Sequence, residues 1–148
     1  MTQDIEPALL RPIAAARPVA VLHDMPFARF LGVQLGLAGD ELTAHLPYAP
    51  YLIGNPMIPA LHGGVIGAFM EITAMAQLAL SEKIGHLPKP INVSVQYLRS
   101  GRPVETFARA VVNRVGKTVA NVEVQAWQEM RGEPIATLQA HFLVAPAA

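Results

Sequence analysis

One stretch of this sequence, from about Gly63 to Lys83, is long and apolar enough to form a buried helix, and the segments on both sides of it alternate as strands do. Few folds remain open to a chain built this way. Before the helix, Val33, Leu35 and Leu37 alternate, Gly39-Asp40 forms a hairpin turn, and Leu42, Ala44 and Leu46 make a return strand. After it, Ile91, Val93, Val95 and Tyr97 alternate strictly, Val104 to Val115 and Thr118 to Gln128 flank a Gly116-Lys117 turn, and Ile135 to Val144 follows. Two strands, one long helix and four strands predict an α+β domain in which an antiparallel sheet packs on a single helix. The helix is expected to stop near Gly85, an αL cap with Pro88 beyond it. Its most apolar part, residues 65 to 80, holds Glu71, Thr73 and Gln77 and falls short of the ~20 residues a membrane span needs.

With 148 residues, 52% of them hydrophobic, the chain has the size of one domain with a substantial core. Residues 1–24, with Pro7, Pro12 and Pro18 among alanines, read as a loosely ordered arm or a short helix, and residues 25–148 as the domain, opened by a helical turn over Met25 to Leu31. Pro47, Pro50, Pro56 and Pro59 predict a long ordered loop before His62. Eleven basic and eleven acidic residues cancel without forming blocks, which argues against nucleic acid or an anionic membrane as partner. The absence of cysteine excludes disulfides and thiolate chemistry. His23, His45, His62, His86 and His141 show no paired ligand spacing, so no metal site is expected, and none of Ser81, Ser94 and Ser100 lies in a nucleophile elbow. No secretory signal pattern opens the chain, and a cytoplasmic location is expected.

Chemistry concentrates where the helix begins. His62-Gly63-Gly64 combines residues that let backbone approach a ligand closely with the unpaired, partly positive N–H groups of a helix start. Nine residues after His62, Glu71 interrupts an apolar run. On a helical wheel Val65, Phe69, Ile72 and Ala76 form the stripe facing the sheet, while Glu71 shares the opposite face with Gly64, Gly67, Met75 and Leu78, a small apolar surface suited to a second subunit. A carboxylate there is desolvated and becomes a better base.

The HGG helix start, the acid nine residues past the histidine, the strand INVSVQYLRSG (Ile91 to Gly101) and the VNRVGKT turn (Val112 to Thr118) together resemble the PaaI-type acyl-CoA thioesterases of the hotdog-fold superfamily. The resemblance runs from about Phe27 to Val144 and implies a curved antiparallel sheet of five to six strands wrapped around the helix. It further implies hydrolysis of an acyl-CoA thioester, with Glu71 as nucleophile or general base, the Gly63 N–H polarising the carbonyl, and His62 orienting the loop or contacting substrate. Many members carry Asn or Gln six residues before the histidine; Pro56 stands there, with Asn55 one earlier as its substitute, and Met75 replaces a Ser or Thr one turn past the acid.

By the same resemblance Gly64, Phe69, Met70 and Met75 would lie along the substrate, and Arg99, Arg102, Arg114, Gly116 and Lys117 would form one edge for coenzyme A. Coenzyme A enters as part of the substrate, with no metal or redox cofactor, and a homodimer or homotetramer is implied. Two alternatives stand beside this one. Gly54 to Pro59 with Glu71 and Ala74 to Gln77 also resembles hotdog hydroxyacyl-thioester dehydratases, although Tyr51 stands where their histidine would be; a noncatalytic acyl-CoA-binding hotdog protein is the other.

Overall fold

The computed structural model describes residues 25–38, 41–81, 84 and 86–144. Its elements in chain order are α1 (Pro26–Leu31), β1 (Gln34–Ala38), β2 (Glu41–Leu46), a 3-10 turn (Pro50–Leu52), β3 (Ile53–Asn55), β4 (Ala60–Leu61), α2 (Gly63–Ala79), β5 (Lys89–Tyr97), β6 (Thr106–Val115), β7 (Val119–Trp127) and β8 (Ala136–Leu143). Six strands form one sheet in the order β1-β2-β6-β7-β8-β5, every neighbour antiparallel, with β1 and β5 at the edges. This is the hotdog arrangement expected from the sequence, with α2 lying against β2, β5, β6, β7 and β8.

The inner face of the sheet explains how the helix sits so deep. Ala44, Ala108, Ala120, Ala126, Ala136 and Ala140 are fully buried beneath it, so the backbones approach closely. Leu42, Leu46, Val122, Val124, Leu138 and Phe142 interdigitate around those alanines with Phe69, Met70 and Leu78 of α2. On the outer face Glu123, Gln125, Gln139 and His141 alternate with these residues and stay exposed.

Three expectations change. The helix ends at Ala79 rather than near Lys83, where Leu80 and Ser81 N–H groups bond back to Gln77 and Leu78 carbonyls and tighten the last turn. Leu78 and Met75, placed by the wheel opposite the core, lie in it, because the curled sheet covers far more than one stripe of α2. Its remaining open line runs through Gly63, Gly67 and Glu71, four residues apart and on one side. The proline-rich segment before His62 is a miniature hairpin, β3 with β4, whose turn takes Pro56 and Pro59. Strands of three and two residues carry no legible alternation. The arm at 1–24, the Gly39-Asp40 turn and the Gly85 cap lie outside the described residues. Among the described residues no helix is long and apolar enough to cross a membrane.

A candidate active site at the start of the central helix

His62 is the N-cap of α2. Its backbone is extended (φ −60°, ψ 132°), and its Nδ1 accepts a hydrogen bond from the Gly64 N–H at 2.9 Å. That bond requires a lone pair on Nδ1, so the neutral ring carries its proton on Nε2. The His62 carbonyl accepts from Val65 and Ile66 N–H (3.0 and 3.2 Å), and its own N–H donates to the Leu52 carbonyl at 2.8 Å. β3 presses on this residue from the other side: a Cβ at Gly54 would stand 2.8 Å from His62 Cα and 2.9 Å from its Cβ and Cδ2.

The other glycines have equally specific neighbours. The Tyr97 hydroxyl, from the end of β5, donates to the Gly63 carbonyl at 2.7 Å, and a Cβ on Gly63 would lie 3.3 Å from the tyrosine Cζ and Oη. At Gly67 the corresponding distances are 3.6 Å to that hydroxyl and 3.8 Å to Val95 Cγ2. A Cβ on Gly64 would come within 2.9 Å of His62 Nδ1. The glycine-rich start is therefore shaped by Tyr97 and His62, where the sequence had suggested room for a ligand. What it leaves exposed to chemistry is one group: the Gly63 N–H, first in the helix, has no hydrogen-bond partner among the described residues. A free N–H at the positive end of a 17-residue helix is a preorganised donor to a developing oxyanion.

Glu71 lies eight residues further along the open line, about 12 Å up the helix axis. It is half-buried among apolar neighbours, and that desolvation pushes its carboxyl above the usual carboxylate range. Beside it runs β5, whose Ile91, Val93 and Tyr97 are exposed apolar side chains on an edge strand. Open helix line and strand edge together form a shallow apolar strip with a donor at one end and a basic carboxylate at the other.

The remaining sequence candidates scatter. Asn55 ends β3 at the turn, its Oδ1 accepting from Met57 N–H at 3.0 Å. Phe69 and Met70 are wholly buried and Met75 is 7% exposed, so all three are core residues and none opens onto the strip. Thr73 is buried too, its hydroxyl donating to the Phe69 carbonyl. The cations do not form one edge. Arg99 is tied through its N–H to Ile135, just before β8, whereas Arg114 at the end of β6 and Gly116 and Lys117 in the β6–β7 turn lie where the Thr118 carbonyl accepts from Val144 just after β8. β8 separates the two groups by about 30 Å. Arg102 is ion-paired with Glu129, and Gly116 closes its turn by donating to the Val119 carbonyl at 2.8 Å. Tyr97 was not among the candidates. The signal available for it was the Gly63–Gly67 spacing, two missing side chains on one helix face that call for a bulky neighbour.

The family described as the Thioesterase superfamily matches residues 59–135, a span that contains α2, Glu71, Tyr97 and three of the four strands after the helix. A medium/long-chain acyl-CoA thioesterase of Escherichia coli is 28% identical over an alignment covering 73% of this chain and 79% of its own. Among solved structures, a protein of Chromobacterium violaceum is 35% identical, with a TM-score of 0.64 and coverage of 86% of this chain and 89% of its own. A Shewanella oneidensis protein related to the thioesterase superfamily is 25% identical, with a TM-score of 0.70 and coverage of 86% and 92%.

Proposed function

Because the chain belongs to the thioesterase superfamily, we propose that this thioester hydrolase cleaves acyl-CoA to free acid and coenzyme A, with Gly63 and Glu71 as its working groups. The observation that carries the assignment is the pairing, along one open helix line, of an unpartnered N–H at the helix start with a carboxylate made basic by burial. The N–H stabilises the negative charge that forms on the thioester oxygen. Glu71 either attacks the carbonyl carbon, giving an anhydride that water opens, or takes a proton from the attacking water. In both routes the C–S bond breaks and one water is consumed. In the base route the thiolate leaves with the proton Glu71 took from that water; in the anhydride route it is protonated from solvent, and water then opens the anhydride, releasing the free acid and restoring the Glu71 carboxylate. The apolar strip of Ile91, Val93 and Val95 suits an aliphatic acyl chain, in line with the medium/long-chain name of the Escherichia coli relative.

Spacing argues that the working site is shared between two copies. A donor and a nucleophile acting on one carbonyl stand roughly 6–7 Å apart, as two contacts of about 3 Å joined by a C=O bond, whereas Gly63 and Glu71 of one chain are about 12 Å apart along the helix. Gly67 lies midway between them. Two chains paired antiparallel along their β5 edges, with the two-fold axis near Gly67, would set Gly63 of each opposite Glu71 of the other. The same pairing carries Arg99 of one copy toward the Lys89 end of the other, the end that holds Arg114 and Lys117. This gives the coenzyme A phosphates a joint basic edge that one chain lacks.

Thiol release from saturated acyl-CoAs of increasing chain length tests the reading. Wild type should be active and Glu71→Gln reduced at least a hundredfold; an undiminished variant would remove Glu71 from the reaction. Mixing Glu71→Gln with Gly63→Pro, refolded together, should restore about a quarter of wild-type activity if sites are shared. No restoration would place both groups in one chain.

A further inference from the structure

We infer that Tyr97 is a positioning residue for the Gly63 donor, acting through the opposite end of the same glycine. This rests on the thioesterase reading above. Two adjacent glycines at the start of a helix have the least intrinsic backbone restriction of any pair, yet a useful oxyanion donor must point in one direction before substrate arrives. The two peptide planes that meet at Gly63 must therefore be held from outside.

The plane before Gly63 is held by helical bonds, because the His62 carbonyl accepts from Val65 and Ile66. The plane after it has the ordinary helical bond from Gly67 N–H to the Gly63 carbonyl and two further ties. Gly64 N–H donates to the His62 ring, a contact within the capping turn itself. The Gly63 carbonyl accepts from Tyr97, 34 residues away on the edge of the sheet. This is the tie that fastens the turn to a rigid element, since β5 is locked to β8 along its length, from Lys89 opposite Leu143 to Tyr97 opposite Ala136.

Geometry excludes the simpler alternatives. The phenol proton is spent on the Gly63 carbonyl, so Tyr97 offers no donor of its own to a thioester oxygen while that bond stands. Nor is the residue a buried packing group within its own chain: there it is 55% exposed and holds its place by lying over the empty Cβ positions of Gly63 and Gly67. An exposed tyrosine fixed by one hydrogen bond to a helix-start carbonyl contributes orientation more than bulk stability.

Tyr97→Phe keeps the ring over both glycines and deletes only the hydroxyl. With a medium-chain acyl-CoA, kcat should fall about tenfold while KM stays within twofold and the melting temperature within about 2 °C. Hydrogen exchange at the Gly64 amide, followed by NMR without substrate, should accelerate about tenfold as the turn loosens. Unchanged kcat together with unchanged Gly64 exchange would overturn the assignment. So would a parallel drop of kcat and melting temperature, which would reduce Tyr97 to a stabilising role. If wild type releases no thiol, the thioesterase reading fails by itself. The exchange measurement then still decides whether Tyr97 holds the turn.

Discussion

Gly63→Pro removes one N–H and nearly nothing else. The residue before a proline must be extended, and His62 already is, with ψ at 132°. Proline is favoured at the first helical position, where its fixed φ suits the helix and its missing donor is an orphan in any case. Here that orphan has no partner among the described residues, so no protein hydrogen bond is lost. The added Cβ meets Tyr97 Cζ and Oη at 3.3 Å, a tight contact that an exposed ring relieves by moving a few tenths of an ångström. Proline also restricts the unfolded chain, a gain of about 0.4–1 kcal/mol that offsets this contact. Stability should change by less than about 1 kcal/mol, or roughly 4 °C in melting temperature for a domain of this size. Turnover should fall far more. Loss of one oxyanion donor costs about 2.7–4 kcal/mol in the barrier, or 10²–10³ in kcat. Thiol release and thermal unfolding of the same preparation separate the two effects. A folded Gly63→Pro protein that keeps a third of wild-type kcat would refute the role given to the Gly63 N–H.

Gly54→Ala should be the most damaging of the glycine replacements, because its Cβ would strike His62 backbone at 2.8 Å, with no flexible side chain to yield. Overpacking and loss of the Leu52–His62 bond should together cost about 2–4 kcal/mol, and a melting temperature within 2 °C of wild type would contradict this. Phe69→Ala should destabilise the fold by about 3–5 kcal/mol without changing acyl-chain preference, since Phe69 is core; a shift in chain-length profile would return it to the substrate. Burial raises the Glu71 pKa, so kcat/KM should decline as pH falls through that raised value, and the limb should vanish from the residual activity of Glu71→Gln. For stability the sign is opposite: the native state binds this proton more tightly than the unfolded chain, so the Glu71 penalty is full above the raised pKa and relieved as pH falls through it. Glu71→Gln should thus melt no lower than wild type at pH 7, with its advantage gone below pH 4.5; a variant clearly less stable at pH 7 would contradict the desolvation account.

The sequence made the large elements legible because each is long enough to show its period. Seventeen helical residues and strands of eight to ten leave a pattern that β3 and β4, with three and two residues, cannot. That His62, Gly63 and Glu71 share one helix and its cap was legible for the same reason. Tyr97 was not, since its bond to Gly63 spans 34 residues and depends on where an edge strand comes to rest. The cations were misplaced by topology. Arg99 and Lys117 both follow strand ends, but in an antiparallel sheet successive ends alternate between opposite sides. Met75 and Leu78 were misjudged because a wheel assumes one buried face, and a sheet that curls around its helix buries several.

Among the described strands β8 leaves the ribosome last, yet it sits inside the sheet, flanked by β7 and β5. Until residue 143 has emerged, β5 has no partner and β7 is paired on one side only, so the nascent chain carries two valine-rich strand edges that the finished sheet covers. The ladder that joins β5 to β8 closes a loop of nearly 40 residues and must form late. Stalled or truncated products lacking β8 would expose both edges at once, which makes the length of translation pauses before Ala136 a determinant of how much of this protein aggregates.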